Sequence, residues 1–569
     1  MTSTFHGLEV AKRALHTQQS ALYTTGHNIA NANTEGYTRQ RVNFSQTGPF
    51  PPASRNRPEI PGQVGSGVEA GSIQRVRDSF VDKQYRQENT SVGYYQTRAD
   101  MLQKMETILN EPTDVGLLKS MDMFWQSLQD LSVNPEHAST RAVVKERAIA
   151  LADSFNYLHK TLQDVRANLR DEIGVGNTKV NSLIDQINSL NSQIGKIEPH
   201  GLVPNDLYDR RDTLIDELST YMDIEVDYRA SKGMPSPVAE GIATITLKTN
   251  SSNVNNLDAN QDKVVLVNGE EGVVLGSADA VTHIFTDFDS DNNLRALLFA
   301  KPNEDQTKTT EQYVNELVSN IYDTSSETAF IYGDNFDVNG KLHALIEGAG
   351  YLGDGFAYDA ADPLNSSGGT AQGDFNEMLR QLDDLVYNFV TEFNAVHQQG
   401  YTLEVDADGD GQTDRGGNFF DPAGVTADTI KLSADIEVNV DLIAASLSGA
   451  SGDGENATNL SNVFTKRGEQ FLTSATATID QKTTIKSFYE AMIGEMGVRA
   501  QEAMRMEGNS NVLRQQVDEI RQSISSVSLD EEMTNLIKFQ HAYNAAARNM
   551  TVIDEMLDRI INNMGLVGR

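Results

Sequence analysis

The 569-residue sequence contains no cysteine at all. Disulfide bonds, thiolate metal sites and a cysteine nucleophile are therefore excluded. No stretch approaches 18 consecutive apolar residues, so we expect no membrane-spanning helix. The N-terminal residues MTSTFHGLEVAKRAL also lack the apolar segment of a cleavable secretion signal. If the protein leaves the cell, it needs a different export route.

Basic residues are scarce, with 46 Lys and Arg against 81 Asp and Glu, for a formal charge of −35. This balance argues against nucleic acid as a partner, since binding to phosphates requires a basic surface. Residues 1–45 carry a net charge of +2 and residues 513–569 a net charge of −2, so the body between them holds all of the excess. Near-neutral ends favour termini that pack in a crowded assembly. The alternative is that amphipathic helices are simply less acidic than loops.

Motifs of catalysis are also missing. The sequence has neither HExxH nor GxSxG, and its ten histidines form no close pairs at metal-ligand spacing. The segment Gly348–Gly353 matches a dinucleotide fingerprint by letter, but no helix is predicted after it to hold a phosphate. We therefore interpret that match as chance and expect no enzyme activity. The single tryptophan, Trp125, lies on an apolar stripe and is predicted to be in the core.

Both ends of the chain show seven-residue apolar repeats, which are typical of coiled-coil helices. The N-terminal stripe is Leu8, Leu15, Leu22 and Ile29, with Ala11, Gln18 and Thr25 at the alternate positions. The C-terminal stripe is Leu529, Leu536, Tyr543, Met550, Leu557 and Met564, with a second row at Met533, Ala547 and Ile561.

The two stripes are predicted to pair with each other. Isolated helices of this length are marginal in water, so we expect residues 1–45 and 513–569 to be largely disordered in the free monomer and to fold on assembly. The alternative is a hairpin of the two helices that is already formed in the monomer.

Between the ends, the pattern changes from helical to β-rich and back to helical. Segments such as GIATITLKTN are short, β-branched and broken by Gly and Asn, which is typical of strands. The sequence therefore predicts a mainly α protein (α+β) with an inserted β-rich domain, a long helical-bundle body, and terminal helices paired as a coiled coil. The predicted parts are 1–75 (helix and extended arm, with little regular structure over 42–71), 76–227 (helical body), 228–373 (β-rich outer domain), 374–512 (helical body with loop 400–455) and 513–569 (C-terminal helix).

Two segments resemble a known family. The segment Asn28–Tyr37, NIANANTEGY, is similar to the N-terminal signature of flagellar rod, hook and hook-associated proteins. Its continuation TRQRV, together with SLDEEMTNL at 528–536, QHAYNAAAR at 540–548 and VIDEML at 552–557, resembles the FlgK family of hook-associated proteins. The convincing likeness covers roughly the first 45 and last 60 residues, and both ends together are specific.

The resemblance implies a structural subunit of the bacterial flagellum that joins hook to filament and is not an enzyme. It implies secretion through the flagellar type III route to an extracellular position, without a cleavable signal. The implied partners are copies of itself, the hook protein, hook-associated protein 3 and an export chaperone, with no nucleic acid, no membrane and no required cofactor. The alternatives are another axial protein of hook or rod type, or a secreted calcium-binding adhesin.

The signature residues also suggest physical roles. Asn31, Asn33 and Gly36 tolerate a left-handed backbone, so they are predicted to stop the first helix and turn the chain after Asn28. The ring of Tyr37 suits an interface. Arg39 and Arg41 are two residues apart, so an extended arm directs both toward carboxylates of a neighbouring subunit. The alternative is an ordinary helix end followed by a solvated loop.

One acidic loop matches the start of an EF-hand-type calcium loop. Alternate acidic residues, with glycine at the sixth position, let side-chain oxygens converge on a hard cation. The twelfth position is Gly417 instead of a bidentate Glu, so only weak Ca²⁺ binding is predicted, and an acidic surface loop is the alternative. Asp287, Asp289 and Asp291 form a poorer version without the glycine. The candidate ligands of the better loop are Asp406, Asp408, Asp410, Gln412 and Asp414.

Calcium titration tests this loop. We expect a small binding heat with a dissociation constant of about 10⁻⁴–10⁻³ M, the range of weak extracellular sites, in isothermal calorimetry. The Asp408→Asn variant, which removes one charged ligand, should lose that heat. A titration without heat, alongside an unchanged melting curve, would leave only an acidic surface loop.

Overall fold

The computed structural model describes residues 4–51, 55, 62–109, 116–256, 263–305, 307–322, 328–353, 355–403 and 414–563. The chain is mainly helical, with a β-rich block inside a helical body, which confirms the predicted fold class. None of the helices in these ranges combines the length and the hydropathy that a membrane-spanning segment needs. The predicted domain limits stay a prediction. The helices are α1 Thr4–Ala30, α2 Ser79–Leu109, α3 Leu117–Val133, α4 Ala138–Ile197, α5 Asn205–Tyr221, α6 Thr310–Ser319, α7 Lys341–Ala349, α8 Asp374–His397, α9 Ala434–Val438, α10 Glu455–Asn462, α11 Ile485–Ser525 and α12 Leu529–Asn563.

The helical body is built on α4, a helix of 60 residues. Its buried face packs against α3, α5 and α7, and α2 runs along α11. Where α3 packs against α8, the ring centroid of Phe124 lies 6.5 Å from that of Phe389 and 5.5 Å from that of Phe393. Aromatic rings of this size dominate the energetics of a core, so this cluster ties the two halves of the body together.

The β-rich block contains two sheets. One is three-stranded and antiparallel, in the order β3-β4-β5, and in the other the central strand β7 pairs with β6, β8 and β9. Buried apolar side chains of both sheets join the core of the helical body. The block therefore shares a core with the helices around it on one side, while the other face of β6 and β7 packs with α6 in a separate cluster. Its strands are β3 Ile224–Arg229, β4 Ile242–Leu247, β5 Val265–Val267, β6 His283–Phe288, β7 Leu294–Ala300, β8 Ala329–Tyr332, β9 Tyr351–Gly353 and β10 Thr370–Gln372.

Both ends of the segment expected to have little regular structure belong to an antiparallel ribbon. Strands β1 Gln40–Gln46 and β2 Val68–Arg75 pair along their whole length, with one bulge between Asn43 and Phe44. A two-stranded ribbon alone is marginal in water, and here α1 covers it. The expectation was wrong for 42–46 and 68–71, because the Pro- and Gly-rich composition belongs to the connection between the strands and not to the strands themselves.

The two terminal helices lie side by side in one chain. Helix α1 packs against both α12 and the ribbon, and Phe44 of β1 meets Phe539 of α12 edge to face at 5.9 Å. This is the arrangement of the hairpin alternative. The disorder expected of the free monomer stays a prediction.

His397, at the end of α8, is fully buried and held by two backbone groups. Its Nε2 accepts a hydrogen bond from the Ala444 N–H at 2.9 Å, so Nδ1 carries the proton and donates to the Gly417 carbonyl at 2.8 Å. Protonating Nε2 would set one N–H against another. Burial lowers the pKa of His397 to about 4.

This depressed pKa predicts acid sensitivity. An unfolded histidine has a pKa of about 6.5, so between that value and about 4 the unfolded chain binds a proton that the folded state refuses. The contribution of His397 to the free energy of unfolding is therefore fully present above pH 6.5. It is lost as the pH falls, by about 2 kcal/mol at pH 5. Urea unfolding at pH 7 and pH 5 measures the loss. The His397→Gln variant should be less stable at pH 7 but less sensitive to pH. Equal pH dependence in both proteins would contradict the assignment.

Candidate functional site

The N-terminal signature lies where both ends of the chain leave the helical body. Asn28, on the last turn of α1, is 1% exposed and uses both ends of its amide. Its nitrogen donates to the Gln40 carbonyl at 2.8 Å and to Glu532 Oε2 at 3.2 Å. Its oxygen accepts from the Gln40 N–H at 3.0 Å and from the Tyr37 hydroxyl at 2.8 Å. One side chain thus joins α1, the ribbon and α12.

Tyr37 completes the inner side of this turn. Its hydroxyl donates to Asn28, and Nδ1 of His27 lies 2.9 Å from the same oxygen. Burial and the nearby carboxylates of Asp209 and Asp206 raise the pKa of the Tyr37 phenol. The phenol therefore keeps its proton and remains the donor to Asn28. Tyr37 therefore contacts its own chain here, and its place at an interface stays a prediction.

Arg39 pairs with carboxylates of its own chain, which corrects the expected pairing with a neighbouring subunit. Its Nε donates to Glu532 Oε1 at 2.8 Å, and its two Nη atoms donate to Glu531 at 3.0 and 2.9 Å. Burial lowers the pKa of Arg39, but the two carboxylates outweigh that effect and raise it. The backbone N–H of Arg39 also donates to the Ser525 carbonyl at 2.9 Å. The outgoing and returning chain are therefore joined at this residue.

The rest of the signature forms an exposed turn. Gly36 has a φ of +77° and lies so close to Thr213 of α5 that an added Cβ would be 2.4 Å from its hydroxyl. Glycine is therefore required there on both grounds. Asn31 bonds back to the His27 carbonyl at 3.0 Å, whereas Asn33 is exposed. Arg41 is exposed too, and forms no ion pair with the part of the chain that the structure describes.

The antiparallel register of α1 and α12 is fixed near each end of the pair. Asn28 bonds Glu532 at 3.2 Å, and Gly7 lies where a Cβ would be 3.2 Å from Ile553. In α1 the most buried positions are small or polar, and the predicted Leu stripe is only partly buried. The buried positions include Ala11, Ala21, Thr25 and Asn28, and the partly buried ones are Leu8, Leu15, Leu22 and Ile29.

In α12 the first predicted row faces inward, but the second row is wrong by one residue. Leu536, Tyr543, Met550 and Leu557 are buried or partly buried, as predicted for the first row. The alternate inward positions are Glu532, Phe539, Ala546 and Ile553. An apolar repeat does not include a charged residue such as Glu532. The predicted row was therefore placed one residue later, at Met533 and Ala547.

The register of the pair explains how exposed the remaining predicted positions are. Met533 is 51% exposed, on the flank of the pair, whereas Ala547 is partly covered. Leu529 and Ile561 are 47% and 69% exposed, because α1 ends at Ala30 and begins at Thr4 and so offers no partner opposite them. Met564 lies outside the described residues.

Helix α12 also presents large apolar side chains that α1 does not cover. Five of them are between 40% and 60% exposed, with Met533 and Ile537 one turn apart on one flank of the pair and Val552 and Met556 one turn apart on the other. Large apolar side chains left exposed together are typical of a surface that binds another protein. They are Met533, Ile537, Val552, Met556 and Ile560.

Beneath the signature lies a buried charge network that the apolar patterns of the sequence do not predict. Arginines and carboxylates alternate where β2, α2, α5 and α11 meet. The five arginines and five acids balance in charge, which such burial requires. The members are Arg75, Arg77, Arg86, Arg211 and Arg521, with Asp82, Asp209, Asp212, Asp216 and Glu240.

Asp212 is the centre of the network. Its Oδ2 accepts from Arg75 at 2.9 Å and from Arg77 at 3.0 Å, and its Oδ1 lies 3.5 Å from Arg86. Burial alone would raise the pKa of Asp212, but the surrounding arginines hold it far below the usual range. The signature turn is tied to this network, since the Thr38 N–H donates to Asp209 at 3.2 Å.

A sequence signal for the network does exist. Asp209, Asp212 and Asp216 recur at three- and four-residue spacing in α5, on the same face as the buried Ile215. Acidic residues on an apolar helix face indicate buried ion pairs, because buried charges occur almost only in pairs.

The two predicted cation sites have different outcomes. Asp406, Asp408, Asp410 and Gln412 lie outside the described residues, so the Ca²⁺ site stays a prediction, and the backbone carbonyl of Asp414 accepts from the Thr402 N–H at 2.9 Å. In the poorer loop, Asp289 already accepts from the Asn293 N–H at 2.7 Å, and Asp287 accepts from the Tyr358 hydroxyl at 2.8 Å. Within the described ranges, no group of three or more His, Asp or Glu side chains is arranged to hold a metal ion.

Comparisons with known proteins agree on one family. The family model of the flagellar hook-associated protein FlgK helical domain matches residues 102–420, more than half of the chain. Two further models match the ends: the flagella basal body rod protein at 8–38 and the C-terminal part of the flagellar basal body rod FlgEFG proteins at 521–564.

Whole-length relatives point the same way. Flagellar hook-associated protein 1 of Bacillus subtilis is 41% identical over 579 residues, with 100% of both chains covered. The protein of that name from Escherichia coli is 26% identical, covering 97% of this chain and 98% of its own. The structure of the flagellar hook junction protein FlgK from Burkholderia pseudomallei matches with a TM-score of 0.52 at 12% identity, covering 79% of this chain and 100% of that one, which supports the fold.

Removing the central carboxylate should destabilise the body. In the Asp212→Asn variant, Arg75, Arg77 and Arg86 remain buried without their shared partner, at an expected cost of about 3–5 kcal/mol in the free energy of unfolding. Asp171→Asn, an exposed change on α4, is the control and should stay within about 0.5 kcal/mol of the parent. Urea unfolding at pH 7 measures both. Similar stability of the two variants would contradict a central role for Asp212.

Proposed function

Because this chain belongs to the flagellar hook-associated protein 1 (FlgK) family and is a structural subunit of the flagellar hook–filament junction, we propose that its paired terminal helices are the part that enters the polymer. The observation that carries this proposal is the set of large apolar side chains that α1 leaves uncovered on the flanks of α12. In one chain, α1 covers a single face of α12, and Met556 on another face is 60% exposed. Neighbouring copies in the junction supply the missing cover.

Burial of these apolar side chains between neighbouring copies is energetically favourable. Burying a large apolar side chain contributes about 1.5–3 kcal/mol, so several side chains on each helix suffice to drive ordered packing between copies. The charges do not oppose it, since the terminal segments are nearly neutral and the body carries the charge of −35. Subunits would thus associate through their helical ends while their acidic bodies stay in solvent.

Hydrogen bonds around Thr38 and Arg39 attach the helical pair to the body. Arg39 joins α12 through Glu532, and its backbone bonds Ser525 at the end of α11. Thr38 bonds Asp209 in α5. A load on the terminal helices is therefore passed to the body through charged and backbone hydrogen bonds, as a mechanical junction requires.

The chain associates with other flagellar axial proteins and belongs to an exported, extracellular structure. Our finer proposal names copies of itself, the hook protein and hook-associated protein 3 as partners in the junction, and a chaperone on the C-terminal helix before export. It further includes export through the flagellar type III channel without a cleaved signal. The role is structural and requires no catalysis.

A charge placed on the uncovered face of α12 tests the proposal. Met556→Glu leaves the monomer within about 0.5 kcal/mol of the parent, because the side chain is largely exposed. Since it buries a carboxylate between copies, it should reduce the number of filaments in a deletion strain by about tenfold or more. Filaments are counted by electron microscopy.

Thr178→Glu, an exposed change on α4 in the helical body, is the matched control and should restore filaments. The deletion strain itself should carry hooks without filaments, whereas a strain lacking an adhesin would still swim. Normal filament numbers with Met556→Glu would show that this face is not covered in the junction.

A further inference from the structure

Four of the apolar side chains that α1 leaves uncovered form two separate patches on α12. The first patch, Met533 and Ile537, lies on one flank of the helical pair, in the half of α12 that is nearer to the body. The second patch, Val552 and Met556, lies on the other flank, toward the far end of α12. All four side chains are more than half exposed. Because the patches point in different directions at different levels, neither can cover the other within one chain.

The two patches have the same size and the same internal spacing. Each consists of two side chains four residues apart, which are neighbours on a helix surface. Val552 follows Met533 by 19 residues, and Met556 follows Ile537 by the same 19 residues. At 1.5 Å per residue, the patches are therefore about 28 Å apart along the helix axis. A copy displaced by that distance brings its second patch level with the first patch of its neighbour.

The far end of the ribbon adds apolar surface at the level of the second patch. Phe50 and Val64 pair with each other there, and both side chains are exposed. The ring of Phe50 lies 6.3 Å from that of His6 on α1, and the next residue, Gly7, lies opposite Ile553 of α12. This end of the terminal helices therefore presents apolar side chains from both α12 and the ribbon.

Charge does not oppose a contact between the two patches. Residues seven apart share a helix face, so Gln540 and Asn544 follow the first patch, and Ala545 and Asn549 precede the second. All four are uncharged. Protein interfaces are depleted of charge at their centre, and copies of a chain with a formal charge of −35 need such a surface in order to approach each other. The occupant that suits each patch is therefore the other patch on a second copy.

A layer of more than two copies needs two different contact surfaces on each copy. If equal patches met about a two-fold axis, the contact would close after two copies. A contact between two different patches repeats from copy to copy instead. Since the hook lies on one side of the junction and the filament on the other, all copies must also point the same way. A displacement along the helix axis preserves that common direction.

We propose that the first patch of each copy packs against the second patch of the next copy. Ile537 of one copy then lies beside Met556 of the next, and the other two residues of the patches meet in the same way. Adjacent copies are offset by about 28 Å along their terminal helices, so the layer rises from copy to copy and is not a flat ring. The inference rests on the proposed function, in which copies cover these side chains, and adds which surfaces meet and at what offset.

Cysteine cross-linking tests the contact directly, because the chain contains no cysteine of its own. A chain with both Ile537→Cys and Met556→Cys is assembled on cells of the deletion strain and treated with a short bis-maleimide linker. Within one chain the two cysteines are about 28 Å apart, beyond the reach of the linker. A ladder of dimers, trimers and larger species on a denaturing gel is therefore expected from contacts between copies. Each single-cysteine chain should remain a monomer, since equal positions of adjacent copies are offset.

A mixed assembly measures the offset. Chains with Ile537→Cys are assembled together with chains that carry Met556→Cys, and cross-linked dimers are expected. The matched control replaces the second chain by one with Lys538→Cys. Lys538 is exposed and lies on the same flank as Met556, about five helical turns away, so it should give no dimers. Dimers with Lys538→Cys and none with Met556→Cys would show that adjacent copies are level with each other, which would overturn the proposal.

A charge exchange tests the chemistry in cells. Ile537→Glu and Met556→Lys each place an unpaired charge in the contact and should reduce the number of filaments in the deletion strain by about tenfold. The double variant sets opposite charges beside each other and should recover most filaments. Melting curves of the monomers check that all three variants fold. A double variant that is no better than the single variants would contradict the pairing of these two positions.

The outcomes separate this contact from the proposed function. If Met556→Glu prevents filaments but no copies are cross-linked, a different protein covers the second patch. The offset contact is then wrong, while entry of the terminal helices into the polymer stands. Dimers from a single-cysteine chain would show that equal patches meet, and would overturn the contact in the same way. If Met556→Glu leaves filament numbers normal, the proposed function fails and the contact fails with it.

Discussion

A carboxylate is buried at the point where both ends of the chain leave the helical body. Glu532 is 2% exposed, and such a group is tolerated only when partners satisfy its charge. Arg39 and Asn28, both from the N-terminal segment, are those partners. The C-terminal helix therefore can dock only on this N-terminal segment and only in this register. The uncovered faces of the pair follow from that single constraint.

The charge network extends the same logic into the body. Arg75, at the end of the ribbon, pairs with Asp209 and Asp212 of α5, and Arg521, near the end of α11, pairs with Asp82 of α2. Salt bridges of this kind add little net stability, but breaking one is expensive, because a charge is left buried. These salt bridges therefore fix the orientation of the helical pair on the body, and they add little to the strength of its attachment. A junction between two different polymers depends on defined geometry of that kind.

Much of this architecture could be predicted from the sequence. Heptad spacing located both terminal helices, and the change to β-branched segments located the inserted β-rich block. The resemblance at the two ends pointed to the family that the whole-length comparisons then established. Apolar periodicity is a strong signal because burial follows it directly.

The errors have a common physical origin. Periodicity counts apolar residues, so it assigned Met533 to the position that the charged Glu532 occupies, and it passed over the acids of α5. The ribbon was missed because its strands, such as QRVNFSQ, are polar and flank a Pro-rich connection. Arg39 was assigned to a neighbouring subunit because nothing in the spacing shows that Glu531 and Glu532, almost five hundred residues later, return to it. Contacts that join polar groups over long separations leave no local pattern.

The bond from Asn28 to Glu532 joins residues 504 positions apart. Bringing the ends of so long a loop together has a large entropic cost. A folded body reduces this cost, because it already holds the two terminal segments close to each other. We therefore expect local contacts in the helical body to form first and the terminal pair to close last. The two ends of the chain would thus be the last part of a subunit to become ordered.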